Sequence, residues 1–310
     1  MKIRIGQFNM ENLFNRIRLL DRERGSRTGK PVDPEKFVKE GGNINMLGWQ
    51  VEEFGPVSTA QRKATATVIS ENSPDILAVQ EVENLFALES FNRRYLKGQG
   101  YAYGMVIDGN DRRQIDVGVL SRHPITHVRS YKWLTDRSGQ RLFSRDCLEV
   151  DITVSKGPVI TLFVNHFKSK IGGGEAKRAE QAKAVSGIVQ ARFGGTRGKL
   201  YAVVGDLNMG PAEPEFKALR EGLYNTLERL PKDDRWTHAY VKSRNRVEYE
   251  QLDHILASPS MDDAIRSVTV ERRGIPIEAT RFAGKRFPGV QGTGTEASDH
   301  CGVFVDLDVR

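Results

Sequence analysis

An apolar run from Tyr201 to Val204 stops at Gly205 and gives way to Asp206, Leu207 and Asn208. Val203 and Val204 read as buried sheet, whereas an ionised carboxylate taken out of water costs several kcal/mol unless something pairs with it. Asp206 and Asn208 stand two residues apart, on the same side of an extended chain. Turn chemistry would account for one such strand end, because Asp and Asn favour turns. The pattern recurs, however. Asn9 and Glu11 end IRIGQFNMEN, Gln80 and Glu81 end DILAVQEVEN, and LFVNHFKSK carries Asn165, His166 and Lys168. Asp253 lies inside EYEQLDHIL, and Asp299 and His300 precede CGVFV. Ligands of α/β sheets bind in crevices at strand ends. If these ends share one rim, several carboxylates meet in a small space. Like charges that close raise each other's pKa, and a divalent cation is the usual remedy. Carboxylate and amide oxygens without a thiolate cluster match a hard ion, Mg²⁺ or Mn²⁺, with Ca²⁺ also compatible.

The elements that must position these groups are legible from periodicity. Alternation at Ile3, Ile5 and Phe8 predicts a first strand. From Arg16 to Pro56 the chain is basic and Gly-rich without clear periodicity, which predicts a long loop or insertion at about 15–56. A helix is predicted from Ser58 to Ile69, then strand DILAVQEVE, helix NLFALESFNRRYLK and strand YAYGMVID. Strands IDVGVLSRHPI, CLEVDITVS and PVITLFVNHFKS follow, and a helix in EAKRAEQAKAVSGIVQARF precedes strand KLYAVVGDLN. The last third holds three strand-like runs, EYEQLDHILASP, IRSVTVER and HCGVFVDLDV. Helices alternate with strands twice, but strands also follow strands directly. That mixture predicts mixed sheets covered by helices, not a purely parallel doubly wound sheet. No linker rich in Pro, Gly or Ser divides the chain, so one domain over 1–310 is expected.

The 310 residues carry a formal net charge of +7 and a sequence pI near 9.3, which suggests a polyanionic partner, nucleic acid or an anionic lipid surface. Two cysteines, Cys147 and Cys301, cannot supply a framework of bridges. The N-terminal MKIRIGQFNMENLF has polar residues every few positions and reads as a strand, not a signal peptide. No run approaches the roughly 18 apolar residues of a membrane span. Cytoplasm, no stable membrane association and a monomer are therefore the expectations, although a trimmed export signal would leave no trace.

Alone, GDLN or SDH would say little. Taken together and in order, FNMENLF, VQEVEN, IDVGVLSR, VNHFKSK, GDLNMGP, QLDHILAS and SDH resemble the endonuclease/exonuclease/phosphatase superfamily, whose fold is that of pancreatic-type deoxyribonuclease. The likeness is greatest to its bacterial metal-dependent deoxyribonucleases, and it spans the chain apart from 15–56 and 211–245. It implies a four-layer α/β sandwich with two mixed β-sheets packed face to face and helices outside. It implies that Glu81, with Asn9 and Glu11, holds the metal, and that Asp299 binds it directly or supports a group that does. By the same likeness Asp206 orients or deprotonates the attacking water, and Asn208 holds phosphate or metal. His300 contacts the scissile phosphate or acts as general base, with Asp253 fixing its tautomer. His166 acts from the opposite side, with Asp116 as its expected carboxylate partner. Lys168, Arg113 and Asn165 are the expected substrate contacts. His123, His127, His238 and His254 are read as structural or surface residues, with His254 facing away from Asp253.

Each role has a plainer alternative. Helix-start chemistry fits Glu81 and Glu11, turn chemistry fits Asp206 and Asn208, and an exposed ion pair fits Arg113. The substrate expected from the resemblance and the charge is DNA, cut by in-line attack of water. A rival is a phosphatase or phosphodiesterase on inositol phosphates or phospholipids. Inositol phosphatases of the superfamily carry a Trp-Cys-Asp-Arg segment where this chain has Leu252, Asp253, His254 and Ile255, which counts against that reading. A catalytically silent scaffold would be expected to have lost a ligand or a histidine, and none of these is missing.

Overall fold

The computed structural model describes residues 1–14, 16–21, 30–32, 49–54, 57–155, 157–194, 196–243 and 246–309. Strand β1 (Lys2–Leu13) is apolar on both faces: Ile3 and Ile5 enter one core, Phe8 and Met10 another. Such a strand is stable only with a packed layer on each side. The stretch predicted as a loop contains strands β2 (Arg16–Asp21), β3 (Lys30–Val32) and β4 (Trp49–Phe54), which form a small antiparallel sheet in the order β3-β2-β4. The rest of that prediction falls outside the described residues.

Helix α1 (Thr59–Asn72) starts on a capping box, in which Ser58 and Gln61 each accept the other's backbone N–H. Strand β5 (Ile76–Val82) leads to α2 (Leu85–Tyr95), whose first turn is capped by Asn84. Then come β6 (Tyr103–Val106), β7 (Asp116–Ser121), β8 (Ile125–Ser130), β9 (Cys147–Thr153) and β10 (Val159–His166). Helix α3 (Glu175–Phe193) and β11 (Leu200–Asp206) follow, then β12 (Tyr224–Asn225), β13 (His238–Ser243) and β14 (Arg246–Glu250). The chain ends through β15 (Asp253–Ala257), the short α4 (Pro259–Ala264), β16 (Ile265–Glu271) and β17 (Gly302–Asp308).

Two six-stranded sheets result, in the orders β16-β17-β1-β5-β7-β6 and β12-β15-β11-β10-β9-β8. Both are mixed: β1 runs parallel to β5 and β10 parallel to β11, while their other neighbours are antiparallel. Ile5, Ile76, Val119 and Val305 of the first sheet meet Val150, Leu162, Val204 and Ile255 of the second in one buried core. The outer face of the first sheet is covered by α1 and α2, through Val68, Ile69, Leu88 and Phe91. The outer face of the second packs under α3 and the 3-10 turn Pro214–Arg220, through Val185, Val189, Phe216 and Leu219. These are the four layers of the sandwich. Among the described residues, no helix is long and apolar enough to cross a membrane.

Two predicted strands are each divided. IDVGVLSRHPI breaks after Ser121, so that β7 stays in the first sheet and β8 begins the second. EYEQLDHILASP breaks at Gln251 and Leu252: β14 pairs with β13 in a hairpin, whereas β15 joins the second sheet beside β11. Periodicity persisted through both breaks because each half is itself a strand.

Candidate active site

The site begins with register. In the second sheet His166 pairs with Asp206 across β10 and β11, and Asp206 pairs with Asp253 across β11 and β15. All three continue the rows that carry Val164, Val204 and Ile255 into the inter-sheet core. They therefore stand side by side at one end of that core, on strands spaced about 4.8 Å apart. The first sheet answers with Gln7 and Asn9, which continue the inward row of Ile3 and Ile5.

Asp253 has no solvent exposure, and both its oxygens are used. Gln7 Nε2 donates to Oδ1 at 2.7 Å; Thr237 Oγ1 and His300 Nδ1 reach Oδ2 at 2.8 and 2.7 Å. The Thr237 hydroxyl accepts from the backbone N–H groups of Leu252 and Asp253, so it can only donate its proton to the carboxylate. His300 thus presents Nε2 to the cavity. Burial by itself disfavours its imidazolium, but Asp253, Asp206 and Asp299 outweigh that and hold its pKa well above the ordinary value. Asp206 sits between the two histidines, with His166 Nε2 at 3.3 Å and His300 Nε2 at 3.9 Å from Oδ2. Asn208 donates its backbone N–H to Oδ1 at 2.9 Å, and Asn9 Nδ2 lies 3.2 Å from Oδ2. Burial would raise the Asp206 pKa; the two histidines and the Asn208 N–H instead keep it below the usual carboxylate range. The centre is an ionised carboxylate flanked by two imidazoles.

Beside it lie the four expected metal ligands. Glu81 Oε2 accepts from Asn12 N at 3.1 Å, and Oε1 is 3.9 Å from His166 Nε2. Glu11 Oε2 accepts from Asp299 N at 3.0 Å, while Glu11 N donates to Asn9 Oδ1 at 3.0 Å. Burial, with Asp299, Glu296 and Glu81 nearby, pushes the Glu11 carboxyl up to about 9. Acids that repel one another at close range suit a divalent cation; among the described residues, the groups whose ligand atoms lie within 4.8 Å of one another are Asp206, Asp253 and His300, and His238, Asp299 and His300. Glu81 reaches the cavity against the alternation of its strand, because its φ is +60°. Glu11, Asn12 and Asn208 are also left-handed, at φ 44°, 61° and 50°. Non-glycine residues rarely adopt that conformation, and where they do they cluster at functional sites.

The other expected residues make contacts of their own. Asp116 does not serve His166: its Oδ1 accepts from Gly109 N at 2.8 Å, and the carboxylates beside His166 are Asp206 and Glu81. Arg113 turns to the neighbouring Asp111, with Nε 3.3 Å from Oδ1, and most of its side chain is exposed. Lys168 folds its ammonium back onto the carbonyls of Ser169 and Ile171. Asn165 is carried by alternation to the α3 side of the sheet, where Nδ2 donates to Phe163 O at 2.9 Å. His254 also faces that side, its ring against Phe216.

Arg145, Thr237, Gln7 and His238 were missed. Arg145 is buried, donates to Phe167 O at 3.1 Å and lies 3.2 Å from Asp111 Oδ2. Burial lowers its pKa, opposed by Asp111, Glu81 and Asp206, so its positive charge is felt at the centre. His238, read as structural or surface, has Nε2 3.4 Å from Asp299 Oδ2. Only the lone Arg in LFSRD and the Thr-His pair before a strand hinted at these, and neither pattern indicates burial.

Solved structures share this architecture at low identity, which bears on the fold alone. Truncated Caenorhabditis elegans TDP2 is 15% identical with a TM-score of 0.62, over 99% of this chain and 98% of that one. The human Nocturnin catalytic domain with bound sulfate anion is 16% identical with a TM-score of 0.61, over 99% and 94%. D. rerio TDP2 complexed with single strand DNA product is 15% identical with a TM-score of 0.59, over 99% of each chain. No curated protein matches the sequence. A family model described as Endonuclease/Exonuclease/phosphatase family matches residues 5–261, a span holding Asn9, Glu11, Glu81, His166, Asp206, Asn208 and Asp253. With that match over most of its length and a sandwich that gathers these residues at one rim, the chain belongs to the endonuclease/exonuclease/phosphatase family.

Proposed function

We propose that this protein is a metal-dependent phosphodiesterase that hydrolyses nucleic acid, DNA foremost, by direct in-line attack of water. The observation that carries the reading is Asp206, kept ionised between the Nε2 atoms of His166 and His300. Asp206 orients the attacking water and receives its proton. His300, held as an imidazolium by Asp253, donates to a phosphoryl oxygen, and His166 supports the opposite side. Asn208 and Asn9 hold Asp206 in place, and the buried Arg145 adds fixed positive charge. A divalent cation held by Glu81, Asn9, Glu11 and Asp299 would neutralise charge on the phosphate and on the leaving oxygen.

Nucleic acid is favoured by the net charge of +7, since phosphate contacts dominate such affinity. It is also favoured by Trp133, which is 63% exposed with the Lys132 ammonium 4.9 Å and the Arg141 guanidinium 4.6 Å from its ring centroid. An exposed aromatic side chain with two cations over its ring suits a nucleic-acid strand, whose phosphates the cations would meet. The D. rerio TDP2 complex with a single strand DNA product points the same way. The test is a panel of plasmid, linear DNA, RNA, abasic duplex, a simple phosphodiester and inositol phosphates, with Mg²⁺ or chelator. DNA should be cleaved only with the ion. His300→Ala and Asp206→Ala should each lower the rate by about 10²–10⁴-fold, with circular dichroism unchanged. Turnover confined to inositol phosphates, or variants as fast as wild type, would overturn the assignment.

A further inference from the structure

His238 arrives at the rim from β13, outside the two main sheets, and the hydrolytic scheme gives it no part. Its backbone forms a bridge with His300, which holds the two rings side by side with centroids 4.5 Å apart. Asp299 lies between them: His238 Nε2 is 3.4 Å from Oδ2, and His300 Nε2 is 3.8 Å from Oδ1. The ligand-type atoms of the three residues all fall within 4.8 Å of one another. Ala239 N donates to the Asp299 carbonyl at 3.0 Å, tying the strand to the loop that carries the carboxylate.

Two imidazoles and a carboxylate form a different donor set from the carboxylate and amide oxygens of Glu81, Glu11 and Asn9. They suit a borderline ion such as Zn²⁺, which binds histidine nitrogen and carboxylate oxygen at about 2.0–2.2 Å in tetrahedral geometry. Tetrahedral angles at those bond lengths place neighbouring ligand atoms roughly 3.4 Å apart. The His238–Asp299 separation already has this value, and His300 Nε2 lies 3.8 Å from the other oxygen of the same carboxylate. The surroundings also match. His300 gives its Nδ1 proton to Asp253 at 2.7 Å, the carboxylate–histidine arrangement that orients a ligating Nε2 and raises its basicity in zinc sites.

We propose that His238, Asp299 and His300 form a transition-metal site, with a fourth position open to solvent, and that Zn²⁺ bound there inhibits the enzyme. Binding occupies His300 Nε2, the atom that faces the cavity beside Asp206, so it can no longer meet the phosphate. Asp299 belongs to both ligand sets, which sets the two ions in competition for it. The inhibitory consequence rests on the proposed hydrolysis, whereas metal binding itself does not.

The experiment titrates Zn²⁺ into the full chain by calorimetry, in buffer with and without Mg²⁺, and follows Co²⁺ binding by visible absorption. Wild type and His238→Phe are compared, with His238→Gln as a smaller replacement lacking the imidazole, and thermal unfolding verifies that each variant folds. Removing His238 should weaken Zn²⁺ binding by at least about tenfold, on the scale of losing one ligand or its support. It should also erase the four-coordinate Co²⁺ bands. The Zn²⁺ concentration that halves each protein's own Mg²⁺-supported rate should rise by the same factor. Equal Zn²⁺ affinity in wild type and both variants, or no Zn²⁺ binding to wild type, would overturn the site. Zn²⁺ held through His238 in a protein that cleaves no phosphodiester would instead leave this site standing and remove the hydrolytic reading.

Discussion

Asp116 shows how much a residue's role depends on what surrounds it. It is buried and takes one N–H from Gly109, and burial pushes it from 3.8 up to about 7, with Asp108 and Asp111 adding to the effect and Lys132 opposing it. At pH values below its unfolded pKa the group is protonated in both states and costs nothing. As pH rises toward the folded pKa, the unfolded chain sheds the proton more readily, and stability is lost up to a ceiling of about 4 kcal/mol. Asp116→Asn removes that penalty. The variant should therefore gain melting temperature over wild type at pH 8, with the gap shrinking as the pH approaches 4. Thermal denaturation at both pH values checks this, and a gap that does not change with pH would show that Asp116 ionises normally.

At the scale of elements, two devices shape the site. Left-handed backbone at Glu11, Asn12, Glu81 and Asn208 bends the strand ends, and at Glu81 it turns inward a side chain that alternation would send to the outer face. The second device is the loop between β8 and β9, which folds back through a Thr135–Arg141 bridge. It carries exposed Trp133 near its tip, Arg141 donating to the Trp133 carbonyl, and Arg145 at its inner end. One hairpin thus joins an exposed aromatic and its two cations to a charge felt by Asp206. Base–aromatic stacking contributes about 1–3 kcal/mol. Trp133→Ala should raise KM for single-stranded DNA by roughly five- to a hundredfold, with kcat little altered and a small phosphodiester unaffected. Steady-state kinetics on both substrates make the comparison. A loss on the small substrate as well would mean the hairpin was damaged instead.

For the whole molecule, the rim joins two sheets that would otherwise touch only through apolar rows. Asn9, Glu11 and Glu81 come from the first sheet and His166, Asp206 and Asp253 from the second. A cation that binds only the folded state stabilises it by about 2.7 kcal/mol at a hundred times its dissociation constant. Saturating Mg²⁺ should therefore raise the melting temperature by a few degrees, and chelator should reverse the rise. Glu81→Gln should lose most of the shift while keeping the metal-free melting temperature, because its carboxylate is partly exposed at the cavity. Scanning fluorimetry with and without Mg²⁺ decides, and an undiminished shift in the variant would remove Glu81 from the ligand set.

What the sequence by itself determined is local. Alternation drew β1, continuous apolar runs drew β5, β10 and β11, their endings in acids and amides marked the rim, and His254 could be sent away from Asp253 by parity alone. These signals lie within a few residues of one another and need no partner. The tertiary structure alone decided which polar ends meet. Asp253 finds His300 47 positions away, and Asn9 finds Asp206 197 positions away. Asp116 ends up on Gly109 although its strand looked suited to serve His166. Register, the left-handed turn at Glu81 and the burial of Arg145 arise from packing two sheets face to face. That packing couples distant segments through excluded volume and desolvation, and no short stretch of sequence encodes it.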